Sequence, residues 1–144
     1  MSGPRAARAG RLVDLRSRDV TEAQAKLGEA SRRLLEAIAD AAAAERAWTT
    51  SADDVTRCVS TAELAERSLY LTTLRRRADQ ATTRVMILRE EEDRRRRALH
   101  KARIEQRKIE LWQEGILRGL ADDEKRIDRM ASDEIAARIT QRAR

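Results

Sequence analysis

REEEDRRRRALHKAR, residues 89–103, reads either as a basic arm that grips nucleic acid or as one charged face of a long helix. Glu90, Glu91, Glu92 and Asp93 are followed, four residues on, by Arg94, Arg95, Arg96 and Arg97. Residues i and i+4 are neighbours on an α-helix, and acid before base is the favourable order. Each pair adds only about 0.2–0.5 kcal/mol, but four in succession favour helix over coil and neutralise the arginines within their own chain. A phosphate-gripping arm would keep its arginines free to displace counterions. The run therefore reads as a solvated helix face.

Composition extends that reading to the rest of the chain. Of 144 residues, 39% are charged and 2% aromatic, with no Phe and one Pro. Such a chain cannot fill a wide globular core, and its richness in Ala, Leu, Glu and Arg points to long helices or a coiled coil. The 41% hydrophobic share, regularly spaced, is too high for a disordered chain. A net charge of +6 suits an acidic protein, nucleic acid or an anionic membrane without choosing among them. One cysteine, Cys58, permits no internal disulfide, and no stretch approaches 18 apolar residues. The start, MSGPRAARAG, lacks the apolar run of a signal peptide. A cytoplasmic, soluble protein is expected.

One period dominates. Steps of alternately 3 and 4 residues from Ala6 land on Ala9, Val13, Arg16, Val20, Ala23, Leu27, Ala30, Leu34, Ala37, Ala41, Ala44 and Trp48, all apolar but Arg16. This is a heptad seam, the spacing that keeps one stripe against a partner helix. It weakens at TTSADD, residues 49–54, whose short polar side chains favour caps and turns. Ser60 and Glu63 then fit a capping box at a helix start. A second seam runs from Leu64 through Leu71, Leu74, Ala78, Val85, Leu88 and Leu99 to Ile109, Ile116, Leu120, Ile127 and Met130. Polar residues interrupt it at Glu92, Arg95, Gln106, Gln113 and Asp123, read as a loosened interface or as contacts with another molecule.

The expected fold is therefore all-α: an antiparallel two-helix coiled-coil hairpin with a longer C-terminal helix, one unit over residues 1–144. Helix 1 is expected over about 6–50, the reversal over about 49–60, and helix 2 over about 61–141, roughly 120 Å at 1.5 Å per residue. Alternatively, helix 1 continues through Val55 and Cys58 and turns near Ser60. With the tip near residue 55, each residue would face roughly 110 minus its own number. Helix 1 would then end opposite about Ala102 to Glu105. Beyond that point Ile109, Trp112, Ile116, Leu120, Ile127 and Met130 would lack an internal partner, leaving an apolar stripe for another molecule. Gly115 and Gly119 in this stretch each cost about 1 kcal/mol against alanine; close approach, a hinge and drift all remain open.

Catalytic patterns are missing. The few glycines are scattered, so no phosphate-binding loop forms. His100, the single histidine, sits among charged residues, and one Cys with one His cannot build a metal cluster. The hairpin sets Cys58 near the tip, far from His100. Carboxylates lie beside arginines on a wet face rather than in a dry pocket. No enzyme, metal or cofactor is expected. Trp48, Tyr70 and Trp112 are too isolated to form a base-stacking platform.

RLVDLRSRDVTEAQAKLGEA (11–30), LYLTTLRRRADQ (69–80), ARIEQRKIELWQE (102–114) and EKRIDRMASDEIAARI (124–139) together resemble the FliJ family of flagellar type III export proteins, and more distantly the stalk proteins of virulence injectisomes. The likeness covers about Arg11 to Arg142, with fewer central aromatics than usual and an unusual Gly115/Gly119 pair. The resemblance implies an antiparallel coiled coil similar to the shaft of rotary ATPases. It implies, as partners, the hexameric export ATPase and its regulator, the cytoplasmic domain of the export gate, and export chaperones. Association with the inner membrane would be peripheral, through those partners alone. Carried over, the end holding both termini faces the ATPase, with Leu12, Arg16, Ile116, Arg118, Arg126 and Ile127 as contacts. Trp48, Tyr70, Leu71, Leu74 and Ala78, near the tip, face the gate. The SDEIAARI ending leans flagellar rather than injectisome.

Two other readings fit the residues. One is a basic coiled coil associated with nucleic acid through Arg75 to Arg77 and Arg94 to Arg97, which predicts strong salt dependence. The other is a homo-oligomeric adaptor in which two overhangs pack on each other.

Overall fold

The computed structural model describes residues 3–57 and 60–142. Nearly all of them lie in two helices, α1 (Pro4–Val55) and α2 (Thr61–Arg142), with no strand among the described residues. The helices pack against each other as an antiparallel hairpin, and their contacts group into two units. One comprises residues 22–100; the other joins residues 1–21 to residues 101–144.

The 22–100 unit contains the reversal. α1 runs through residues 49–54 instead of ending there. Thr49 stays helical because its Oγ1 donates to the Glu45 carbonyl one turn back, at 2.9 Å. The last carbonyls of α1 then find partners just beyond it. Thr56 Oγ1 donates to Asp53 at 2.6 Å, while the Arg57 N–H and Arg67 Nη1 both donate to Asp54, each at 3.1 Å. Ser60 opens α2 as the capping box requires, its Oγ accepting the Glu63 N–H at 3.2 Å. α1 therefore ends at Val55, later than the expected residue 50 but short of the alternative that carried it through Cys58, a residue that lies outside the described ones.

Moving the turn shifts the register. Ser31 meets Glu92, and Arg75 lies over the Trp48 ring; in both pairs the residue numbers add to 123, not 110. The core of this unit is thin and rich in alanine: Leu34, Ala37 and Val85 cluster, with Ala41 and Leu88 packed on them. Ala30, Leu74, Ala78 and Leu99 are also buried. All lie on the two heptad seams.

The unit holding both termini obeys the same rule. Gln106 Nε2 donates to Ser17 Oγ at 3.2 Å, and Gln113 Nε2 lies 3.7 Å from where a Cβ on Gly10 would sit. These pairs too add to 123. Ala6 and Ala9 are buried, so α1 covers α2 out to about Leu120. Ile109, Ile116 and Leu120 are half-buried as a result, which corrects the expectation that they lack an internal partner. The uncovered part of α2 begins near Ala121, not near Gln106, and every residue from 121 to 141 is exposed.

Candidate interaction surfaces

Two of the polar interruptions of the seam, Glu92 and Gln106, are bonded across it. Glu92 accepts from Ser31 Oγ at 2.9 Å and from Arg96 at 3.2 Å on its own helix. Gln106 bonds Ser17 as described, and each such cross-helix bond rewards one register alone. The charged run of residues 89–103 behaves largely as its spacing predicts. Arg94, Arg95 and Arg96 pair with Glu90, Glu91 and Glu92 at 3.5, 3.3 and 3.2 Å. Asp93 and Arg97 form no such pair among the described residues, the shorter aspartate giving less reach toward the guanidinium.

The six residues expected to contact the ATPase all belong to the unit holding the termini. Leu12 and Ile116 are half-buried. Arg16 sits in the seam and pairs with Asp19 at 3.1 Å. Arg118 and Arg126 are exposed and tied to Glu114 and Asp123, at 3.4 and 3.3 Å. Ile127 is 62% exposed. Around it, Met130, Ile135 and Ile139 are exposed to a similar degree, and Trp112 is 46% exposed beside the seam. Ile135 and Ile139 were not singled out by the heptad, because they follow an i, i+4 spacing from Ile127 through Ala131 that leaves the 3.5-residue line. On the same unit, a hydrogen bond from Lys108 holds the Glu105 carboxyl below the usual carboxylate range, and Glu110 raises the Arg107 guanidinium.

The five residues expected to face the gate all belong to the 22–100 unit. Leu74 and Ala78 are buried between the helices, so their side chains are taken up by the hairpin itself. Tyr70 is exposed, and Trp48 and Leu71 are half-buried. Trp48 and Leu71 border an open groove with Arg75, Arg76, Arg84 and Ile87. Arg75 organises it: the guanidinium lies 4.8 Å from the Trp48 ring centre and reaches Glu45 at 3.6 Å and Asp79 at 3.1 Å. Sequence reasoning took Arg75 only as part of an arginine run that could meet nucleic acid; the corrected register brings it to Trp48.

Among the described residues no polar or charged side chain is buried, and no cluster of His, Cys, Asp or Glu is arranged to hold a metal ion. Among the described residues no helix is long and apolar enough to cross a membrane. Two long helices packed along heptad seams define a coiled-coil-like helical hairpin. The family model described as Flagellar FliJ protein matches residues 8–144. The chain belongs to the FliJ family, and is thereby a flagellar export-related protein of a non-catalytic family. No curated protein and no solved structure matches it.

Proposed function

We propose that this protein is the non-enzymatic stalk of the flagellar type III export ATPase, working in the cytoplasm at the inner face of the export apparatus. The unit holding both termini enters the ATPase hexamer and promotes its turnover. The unit with the reversal meets the export gate through Trp48, Tyr70 and Leu71, and substrate chaperones are delivered through the same assembly. Family membership supports the flagellar setting. The observation that carries the docking reading is the 121–141 segment, a helix without an internal partner whose Ile127, Met130, Ile135 and Ile139 face solvent. An exposed apolar stripe on a long helix is a surface for helix or pore docking.

Three corners of the site have distinct roles in this reading. Ile127 and its neighbours supply apolar contact, Arg118 and Arg126 meet acidic groups at the rim, and Leu12 and Arg16 brace α2 from α1. The test is direct. Purified protein added to the export ATPase should raise its turnover, and Ile127→Asp should reduce that effect at least about tenfold through lost apolar burial. Unchanged ATPase turnover on adding the intact protein overturns the proposal.

A further inference from the structure

We propose that the end of the hairpin carrying both termini rests directly on an anionic bilayer surface, through a basic and apolar face of α1 joined by Trp112 of α2. The face is built by spacing. Arg8, Arg11, Leu15 and Arg18 follow one another at i, i+3, i+7 and i+10, so they share one side of α1, while the seam residues Ala6, Ala9, Val13 and Val20 turn the other side toward α2. All four are exposed. The three arginines line one open groove with Leu12 and Leu15. None of these arginines has an ion-pair partner among the described residues, whereas the next cations along the helix are engaged: Arg16 holds Asp19 at 3.1 Å, and Lys26 holds Glu22. Asp14 is the one acid in the groove, which leaves it with a net positive charge.

Apolar groups stand bare among these charges. The register in which facing residues add to 123 brings Leu12 level with Leu111, next to Trp112. Leu15 and Leu111 are each 51% exposed, and Trp112 is 46% exposed. On that stretch of α2, Lys108 pairs with Glu105 at 2.8 Å and Arg107 with Glu110 at 3.1 Å, so the excess charge comes from α1. This mixture selects the partner. A nucleic-acid backbone would answer the arginines but gain nothing from bare leucines and a lone tryptophan. An acidic protein would need carboxylates fixed at matching positions. A bilayer surface meets both demands: mobile anionic headgroups match the guanidinium groups at any spacing, and the boundary beneath them takes leucine and tryptophan side chains. The hairpin lies on the bilayer rather than through it, in keeping with the lack of a spanning helix among the described residues.

The proposal does not rest on the stalk reading, and it adds a direct contact to association through partners. A face laid on lipid is not free to enter a hexamer, so the two engagements alternate. Co-sedimentation of the full chain with vesicles tests the contact without any partner protein. Vesicles of about 30% phosphatidylglycerol in phosphatidylcholine should pellet the protein, pure phosphatidylcholine should not, and binding should fall at least about tenfold between about 0.1 and about 0.5 M salt. Combining Arg8→Glu, Arg11→Glu and Arg18→Glu should abolish pelleting while circular dichroism keeps the helical signal. Leu15→Gln and Trp112→Gln should each weaken binding about three- to tenfold, because each removes apolar area from the bilayer boundary. Failure to pellet with anionic vesicles overturns the proposal, as does equal pelleting with neutral ones or parent-like binding by the triple variant. Poly-glutamate or duplex DNA holding the protein more tightly than the vesicles, with Leu15→Gln without effect, also overturns it and assigns the face to a soluble polyanion.

Discussion

Leu34 and Leu35 are adjacent, yet one is 8% exposed and the other 66%. The difference is the heptad: Leu34 lies on the seam, in the cluster with Ala37 and Val85, and Leu35 does not. Leu34→Ala should destabilise the hairpin by about 2–3 kcal/mol, toward the low end for a core leucine because so much of the surrounding layer is alanine. Leu35→Ala should stay within about 0.5 kcal/mol of the parent. Urea unfolding followed by circular dichroism separates the two, and a similar cost at both positions would mean the register is wrong. The seam residues were legible from spacing alone. The partners of the polar seam residues were not. Glu92 and Gln106 looked like faults because their partners, Ser31 and Ser17, are named only once the turn is located.

At the scale of the element, α1 and α2 carry glycines that nothing explains by close packing. Within 4 Å of where a Cβ would sit at Gly28 or Gly115 there is no other group, and no glycine among the described residues has a positive φ. Close approach within the chain is therefore not their role. Gly28→Ala and Gly115→Ala should each raise stability by about 0.5–1 kcal/mol, read as a higher urea midpoint. The charged faces respond to acid. Lys26 holds Glu22, and Lys108 holds Glu105, below the ordinary value of 4.5. A carboxyl depressed in the folded state stabilises it above the unfolded value and loses that contribution as pH falls through the folded one. The urea midpoint should thus fall below about pH 4.5, and Glu22→Gln with Glu105→Gln should flatten that fall. The element boundaries were the least legible feature. Residues 49–54 have the composition of a turn, yet Thr49 bonds back to Glu45 and the helix absorbs them. The stronger signal was the Ser60 capping box, which marks where α2 must begin and leaves only a few residues for the reversal.

For the molecule as a whole, the residues that hold the hairpin together and the proposed docking face are different, and a truncation can separate them. Residues 121–141 are all exposed, so removing residues 121–144 takes away little area that folding buries. The slope of unfolding free energy against denaturant follows buried area. A chain ending at Leu120 should therefore keep nearly the urea midpoint and slope of the full protein. The same truncation should lose its effect on export ATPase turnover, because the exposed isoleucines it removes are the proposed contact. Leu34→Ala makes the opposite prediction: a lower midpoint, with the docking face intact and stimulation preserved at temperatures where the variant is folded. Stability and stimulation falling together in both variants would show that docking needs the hairpin core rather than the bare end of α2.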